Sequence, residues 1–122
     1  ELFEGATCIV TPTERTAPEN LHRIEQLWRG LGGVPLRMTP ELHDRLVART
    51  SHLPHLVASA LAHLVLDPAV PPEQARLCAS GFRDTTRVAS GSPEMWRDIA
   101  SMNSAELAGA VDDLIARLND VR

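Results

Sequence analysis

His43, Asp44, His52 and His55 lie within one short stretch and are the first side chains that could bind a ligand or move a proton. At about 100° per residue in a helix, residues three apart are neighbours on one face, which joins His52 to His55 and sets His43 and Asp44 two turns earlier. Three uses compete for such a group. A metal ion needs three or four convergent ligands, and this stretch offers two histidines at this spacing, with no HExxH pattern or further ligand cluster. Structural use would have the imidazoles capping kinked backbone or pairing with Asp44. The third use is to hold or polarise a substrate in a pocket. A second group, Arg83-Asp84-Thr85-Thr86-Arg87, places two guanidinium groups one helical turn apart with an acid between them. The planar arginine fork suits a carboxylate, to which it gives two parallel charge-assisted hydrogen bonds. The competing use is a solvated ion pair with Asp84, worth little energetically. Trp96 belongs either to the core or to the wall of a pocket for a flat ring. The sequence contains neither a glycine-rich phosphate loop nor an evident nucleophile with its base, so nothing in it resembles a self-sufficient catalyst.

The elements that position these groups follow from periodicity. Ala6-Thr7-Cys8-Ile9-Val10-Thr11-Pro12-Thr13 is a β-branched run stopped by proline and predicts a strand ending in a loop. Pro18 opens a helix with Leu21, Ile24, Trp28 and Leu31 at helical spacing, and Gly32-Gly33 stops it. Val34 to Met38 is then extended, which gives a β-α-β unit without further strands. Thr39-Pro40-Glu41 combines an N-cap hydroxyl, a proline in the first turn and an acid, and the helix it starts is expected to run to about Leu66. On this helix Leu42, Leu46, Leu53, Val57, Leu61 and Leu64 form an apolar stripe that reads as the core side. Asp44, Ala48, Ser51, His52, His55, Ser59 and Ala62 form a second stripe, suited to a ligand or another helix. Pro54 lacks a donor and pushes against the Thr50 carbonyl, which predicts a kink beside the histidines. A further helix is expected from Pro72 or Glu73 to about Gly81, another from the cap at Ser92, and a last amphipathic one through Leu107, Val111, Leu114, Ile115 and Leu118. Asn103 and Glu106 have the spacing of a capping box.

Taken in order, Thr11-Pro12-Thr13, Leu27-Trp28-Arg29-Gly30-Leu31-Gly32-Gly33, His43-Asp44, Ser51-His52-Leu53-Pro54-His55, Gly81-Phe82-Arg83-Asp84-Thr85-Thr86-Arg87 and Met95-Trp96-Arg97-Asp98-Ile99 resemble the C-terminal part of prephenate/arogenate dehydrogenases. Each motif is short, and their combination is specific. The resemblance implies oxidative decarboxylation of prephenate or arogenate with NAD or NADP, by an enzyme with an N-terminal Rossmann domain and a helical domain that dimerises. It implies that Arg87 anchors a substrate carboxylate, that His55 faces the substrate, and that Arg83 lines the same pocket at a position held by lysine in some members. Asp84 and Trp96 correspond to a polar network that closes the site near the dimer interface. His43, Asp44, Ser51 and His52 take supporting roles. The glycine fingerprint of the nucleotide domain and the histidine that polarises the substrate ring hydroxyl are absent from this sequence, so catalytic and cofactor-binding residues are not assigned. The organisation expected is mainly α: residues 1–34 as the end of a Rossmann domain and residues 35–122 as a helical substrate-binding and dimerisation bundle. No NAD or NADP is expected to bind this chain alone, because the phosphate-binding turn is missing.

The bulk composition agrees with a globular chain. It has 122 residues, 43% hydrophobic and 23% charged, enough for one sizeable core. A net charge of -4 argues against nucleic acid as a main partner, since phosphate binding needs a clustered basic excess. No apolar run approaches the roughly 18 to 20 residues of a membrane span. Cys8 and Cys78 form no CxxC or metal pattern and read as reduced thiols, which makes a cytoplasmic protein the expectation. The opening at Glu1, without methionine, suggests a fragment or a processed chain. The helices carry more apolar face than a small bundle covers, so a homodimer is expected, with Leu61, Leu64, Leu107, Val111 and Leu114 as interface candidates. The alternative from another class is a stand-alone helical interaction module without catalysis.

Overall fold

The computed structural model describes residues 2–121; Glu1 and Arg122, the outer ends of the two expected domains, lie outside the described residues. The chain divides into two compact units, Glu1–Asp44 and Arg45–Arg122. It is mainly helical, with a short β-α-β unit at the start.

In the first unit, β1 (Thr7–Val10) and β2 (Val34–Arg37) pair in parallel, with Thr7 opposite Val34 and Val10 opposite Arg37, and α1 (Pro18–Gly30) forms the crossover. The glycine stop works through two different properties. Gly32 has φ +85°, a left-handed conformation that ends α1 at little cost for glycine alone. At Gly33 the need is space, because a Cβ there would sit 2.6 Å from the Cys8 sulfur and 3.2 Å from the Trp28 carbonyl oxygen. Trp28 packs edge-on against Phe3 at 5.3 Å. Glu25, an acid without any local signal in the sequence, is only 3% exposed. Both its oxygens accept from Arg37, Nε to Oε1 and Nη2 to Oε2 at 2.7 Å, and Arg29 stands 3.6 Å away, so α1 is tied to the end of β2.

Helix α2 (Pro40–Val47) opens where the capping signals placed it, with the Thr39 hydroxyl accepting from the Leu42 amide at 3.2 Å. The expected long helix is interrupted. Ala48–His52 form a widened π-helical turn, closed by the Leu53 amide donating to the Ala48 carbonyl five residues back, and α3 (Leu53–Val65) follows. The anticipated kink at Pro54 thus takes the form of a π-turn immediately before the proline, which relieves the clash an α-helical register would impose. After α3 come a short α4 (Glu73–Arg76), α5 (Ser80–Thr86), a 3-10 turn (Arg87–Ser90), α6 (Pro93–Met102) and α7 (Ser104–Asp120). Two boundaries differ from expectation. The helix foreseen from Glu73 to Gly81 is a single turn, and Gly81 lies inside α5, where its neighbours Phe82 and Arg83 continue the helix. Asn103 does not cap α7 with its side chain; its amide instead reaches His52.

Packing reverses the two stripes of the central helix. The buried residues are Ala48, His55 and Ala58, and Leu107 and Ala110 are the buried ones of α7, which packs on the π-turn and on α3. Small side chains let helix axes approach closely, so the stripe of alanines and imidazoles is the inner one. The leucine stripe is only partly covered: Leu53, Val57 and Leu61 are half-buried, Leu46 is exposed and Leu64 is 72% exposed. Among the dimer candidates Leu107 is corrected, since at 7% exposure it is already part of the unit's own interior.

The hydrogen bonds from Arg37 hold the Glu25 carboxyl below the ordinary carboxylate value near 4.5, against the opposing effect of burial. A lowered folded-state pKa means that this stabilisation is present above the unfolded value and is lost as pH falls through the folded one. Glu25→Gln should therefore lower the melting temperature at neutral pH, and the gap to wild type should close on acidification. Circular-dichroism melts across a pH series check this; a gap that persists unchanged at acid pH contradicts the ion-pair account.

Candidate functional site

Within the second unit a pocket of about 280 Å³ opens between α3, α6 and α7. His52, His55 and Ser59 line it from the central helix, Trp96 and Arg97 from α6, and Leu107 from α7. His52 and His55 face the same pocket because they are three residues apart across the junction of the π-turn and α3. Trp96 arrives on a helix whose start is set by the Ser92 hydroxyl, which accepts from the Met95 amide at 3.4 Å.

The imidazole of His55 lies flat on the indole of Trp96, with ring centroids 3.6 Å apart and planes within 5°. Its Nε2 is 3.4 Å from the Ser59 hydroxyl, whereas its buried Nδ1 has no hydrogen-bond partner. A buried polar nitrogen left unpaired is costly and rare. His52 meets the same indole edge-on at 6.3 Å, and its Nδ1 is 3.3 Å from the Asn103 side-chain nitrogen. An amide nitrogen can only donate, so Nδ1 of His52 accepts and the ring is held in one orientation.

The other candidates fall in three places. Arg83 and Asp84 are exposed on α5, and Arg87, also exposed, opens the 3-10 turn that packs against α3. Neither arginine forms a salt bridge among the described residues, so the proposed ion pair with Asp84 is not made. The α5 hydroxyls are directed inward along their own helix, Thr85 to the Gly81 carbonyl at 2.7 Å and Thr86 to that of Phe82 at 2.8 Å. His43 and Asp44 belong to the first unit, where His43 Nδ1 and Asp44 Oδ1 stand 2.9 Å apart. Ser51 is exposed on the π-turn. Arg97, Leu107 and Asn103 were not foreseen. Arg97 was available inside the Met95 to Ile99 motif, while Leu107 and Asn103 gave only core and capping signals.

Chemically the pocket is a flat apolar slot with an imidazole nitrogen and Arg97 in its wall; Arg83, Asp84 and Arg87 are not among its lining residues. It can orient a ring and its polar substituents. Among the described residues no group of three metal-ligating side chains occurs. The turn from β1 to α1 has no glycine, and Glu19 stands in the first turn of α1.

Residues 39–122 match the family described as "Prephenate dehydrogenase, dimerization domain". The prephenate dehydrogenase of Bacillus subtilis is 37% identical over 122 residues, covering 99% of this chain and 33% of the relative. A crystal structure of prephenate dehydrogenase from A. aeolicus, in complex with hydroxyphenyl propionate and NAD+, superposes with TM-score 0.90 at 38% identity, covering 98% of this chain and 42% of the other. Arogenate dehydrogenase of Synechocystis gives TM-score 0.82 at 36% identity over 98% of this chain and 44% of its own. The chain thus spans less than half the length of each of these relatives.

Leu107 forms part of the pocket wall and of the α3–α7 packing. Leu107→Ala should cost about 2–5 kcal/mol, the usual range for a buried leucine truncated to alanine. Urea denaturation measures it, and a loss below about 1 kcal/mol would mean that Leu107 is not a core residue.

Proposed function

The chain belongs to the prephenate dehydrogenase family, and from that premise we propose that it is the substrate-binding and dimerisation part of an enzyme converting prephenate or arogenate by oxidative decarboxylation, in tyrosine biosynthesis. We further propose residues 1–34 as the end of a dinucleotide-binding domain, whose sheet runs on to Arg37, and residues 35–122 as the helical domain. The hydride acceptor would be NAD or NADP, held by residues other than those of this chain.

One observation carries the reading: a stacked imidazole with an unpaired buried nitrogen lines a slot beside a turn that opens on an arginine without a counter-ion. Loss of hydride and carbon dioxide turns a carboxylate-bearing ring aromatic. The protein's task on this side of the reaction is therefore to orient carboxylates and exclude water. In this proposal Arg87 grips a carboxylate through its planar fork, with Arg83, four residues earlier on α5, adding positive charge. His55 offers its imidazole to a polar group of the ring, and Trp96 holds that imidazole in place. Asp84, Ser51, His52, His43 and Asp44 support this arrangement without touching the reacting atoms. Two free cysteines suit a reducing compartment, and we assign the protein to the cytoplasm. No described helix is long and apolar enough to cross a membrane.

The substrate role of Arg87 is tested by steady-state kinetics on the enzyme in which these residues are joined to a dinucleotide-binding domain. Removing a charge-assisted bidentate contact is worth about 2–4 kcal/mol, hence roughly 30- to 1000-fold in kcat/KM. Arg87→Ala should place most of this in KM, as loss of uniform binding does, and Arg87→Lys should recover only part of it. An unchanged KM in a folded Arg87→Ala enzyme removes Arg87 from the substrate site.

The partner we propose is a second copy of the chain. Among the described residues no large side chain is fully buried, while Leu46, Leu64, Ile115 and Leu118 of the helical unit are exposed. Obligate dimers resemble a core cut in half, and a second helical unit would complete this one. Light scattering at tens of micromolar should give twice the chain mass, and Leu64→Glu should shift it toward monomer; a monomeric wild-type chain contradicts the proposal.

A further inference from the structure

Gly91 follows the 3-10 turn with φ -67° and ψ 161°, extended backbone that any residue adopts. Conformational freedom therefore gives no reason for a glycine here. Space does. A Cβ built on Gly91 would lie 2.8 Å from Cδ1 of Trp96, closer still to its Nε1, and 3.5 Å from Cε1 of His55. Real side chains do not approach that closely, so any larger residue must displace the indole. The indole has little room to yield, because its face is covered by the His55 ring at 3.6 Å and its edge is met by His52.

We propose that Gly91 is a positioning residue whose missing side chain provides the seat in which the Trp96 indole lies flat against the His55 imidazole. The turn Arg87–Ser90 and the Ser92 cap bring the glycine to the edge of the stack. Backbone from the arginine-bearing turn thereby sets the orientation of the pocket wall. The consequence for substrate binding rests on the function proposed above, whereas the steric role of Gly91 does not.

The two are tested separately. In proton NMR spectra of the chain, the His55 ring protons should lie upfield under the ring current of Trp96. Gly91→Ala should abolish that displacement and move the Trp96 indole N–H, with the resonances of β1, β2 and α1 unchanged. In a Trp96→Ala background the indole is gone, and adding Gly91→Ala should alter neither the His55 shifts nor the melting temperature. Retention of the upfield shift in Gly91→Ala overturns the proposal. So does an equal loss of stability from Gly91→Ala with and without Trp96, because the glycine would then act through the backbone. If Gly91→Ala alone fails to fold, the double variant must fold as Trp96→Ala does, and its failure counts against the proposal. In the enzyme, Gly91→Ala should raise KM as Trp96→Ala does; spectra that change while KM does not would leave Gly91 as the seat and remove the stack from the substrate site.

Discussion

A proline that cannot donate a hydrogen bond governs the geometry of the helical unit. In a regular α-helix the ring of Pro54 would press on the carbonyl of Thr50. The chain instead widens by one residue over Ala48–His52, and the Leu53 amide closes the turn five residues back. Thr50 contributes its hydroxyl to the Leu46 carbonyl at 2.9 Å, which satisfies an acceptor in the altered register. The widened turn brings Ala48 fully inside, against α7, and leaves His52 and His55 directed at one pocket. π-Turns are uncommon and often coincide with functional sites. Here the coincidence has a cause, since the same proline that widens the helix lies between the two histidines.

The inner face of this unit is built from small residues and imidazoles rather than from leucines. Ala48, Ala58 and Ala110 allow the π-turn, α3 and α7 to pack with their backbones close. Apolar burial of about 25 cal/mol per Å² rewards large side chains most, yet most of the large ones lie outside. A single copy of the helical unit has a tightly apposed interior and an apolar exterior. Both features fit a module completed by a second copy.

Each unit contains an ion pair, Glu25 with Arg37 in the first and Arg49 with Asp113 in the second, yet not every cation is answered. In the first, Glu25 is buried and fully answered by Arg37 and Arg29, so its charge serves structure. In the second, Arg83 and Arg87 have no acidic partner among the described residues, and Arg97 has only a distant, exposed one in Asp98 at 3.6 Å. Exposed pairs of that kind contribute little. Of these three cations, Arg97 lines the apolar slot.

Much of this was legible in the residues. Thr39-Pro40-Glu41 and Ser92-Pro93-Glu94 located two helix starts, Gly32-Gly33 located a stop, and Pro54 located the break beside the histidines, because caps, glycine and proline act through the local backbone. The motif series around His52, Arg87 and Trp96 indicated the family. What one dimension could not reveal were relations between distant residues. The leucine stripe was read as core, because hydrophobicity alone does not say which face meets a neighbour. Asn103 was read as a cap, although a better partner, His52, lies 51 positions away in the chain. Glu25 and Gly91 carry no local signal, because Arg37 reaches Glu25 only through β2 and the Trp96 ring reaches Gly91 only in the folded unit. The sequence by itself determined where several helices start, where α1 stops and which residues could do chemistry, since those depend on each residue and its near neighbours. Only the tertiary structure decided which face is buried, which charges are answered and which rings stack, since those depend on contacts that exist only after the chain has folded.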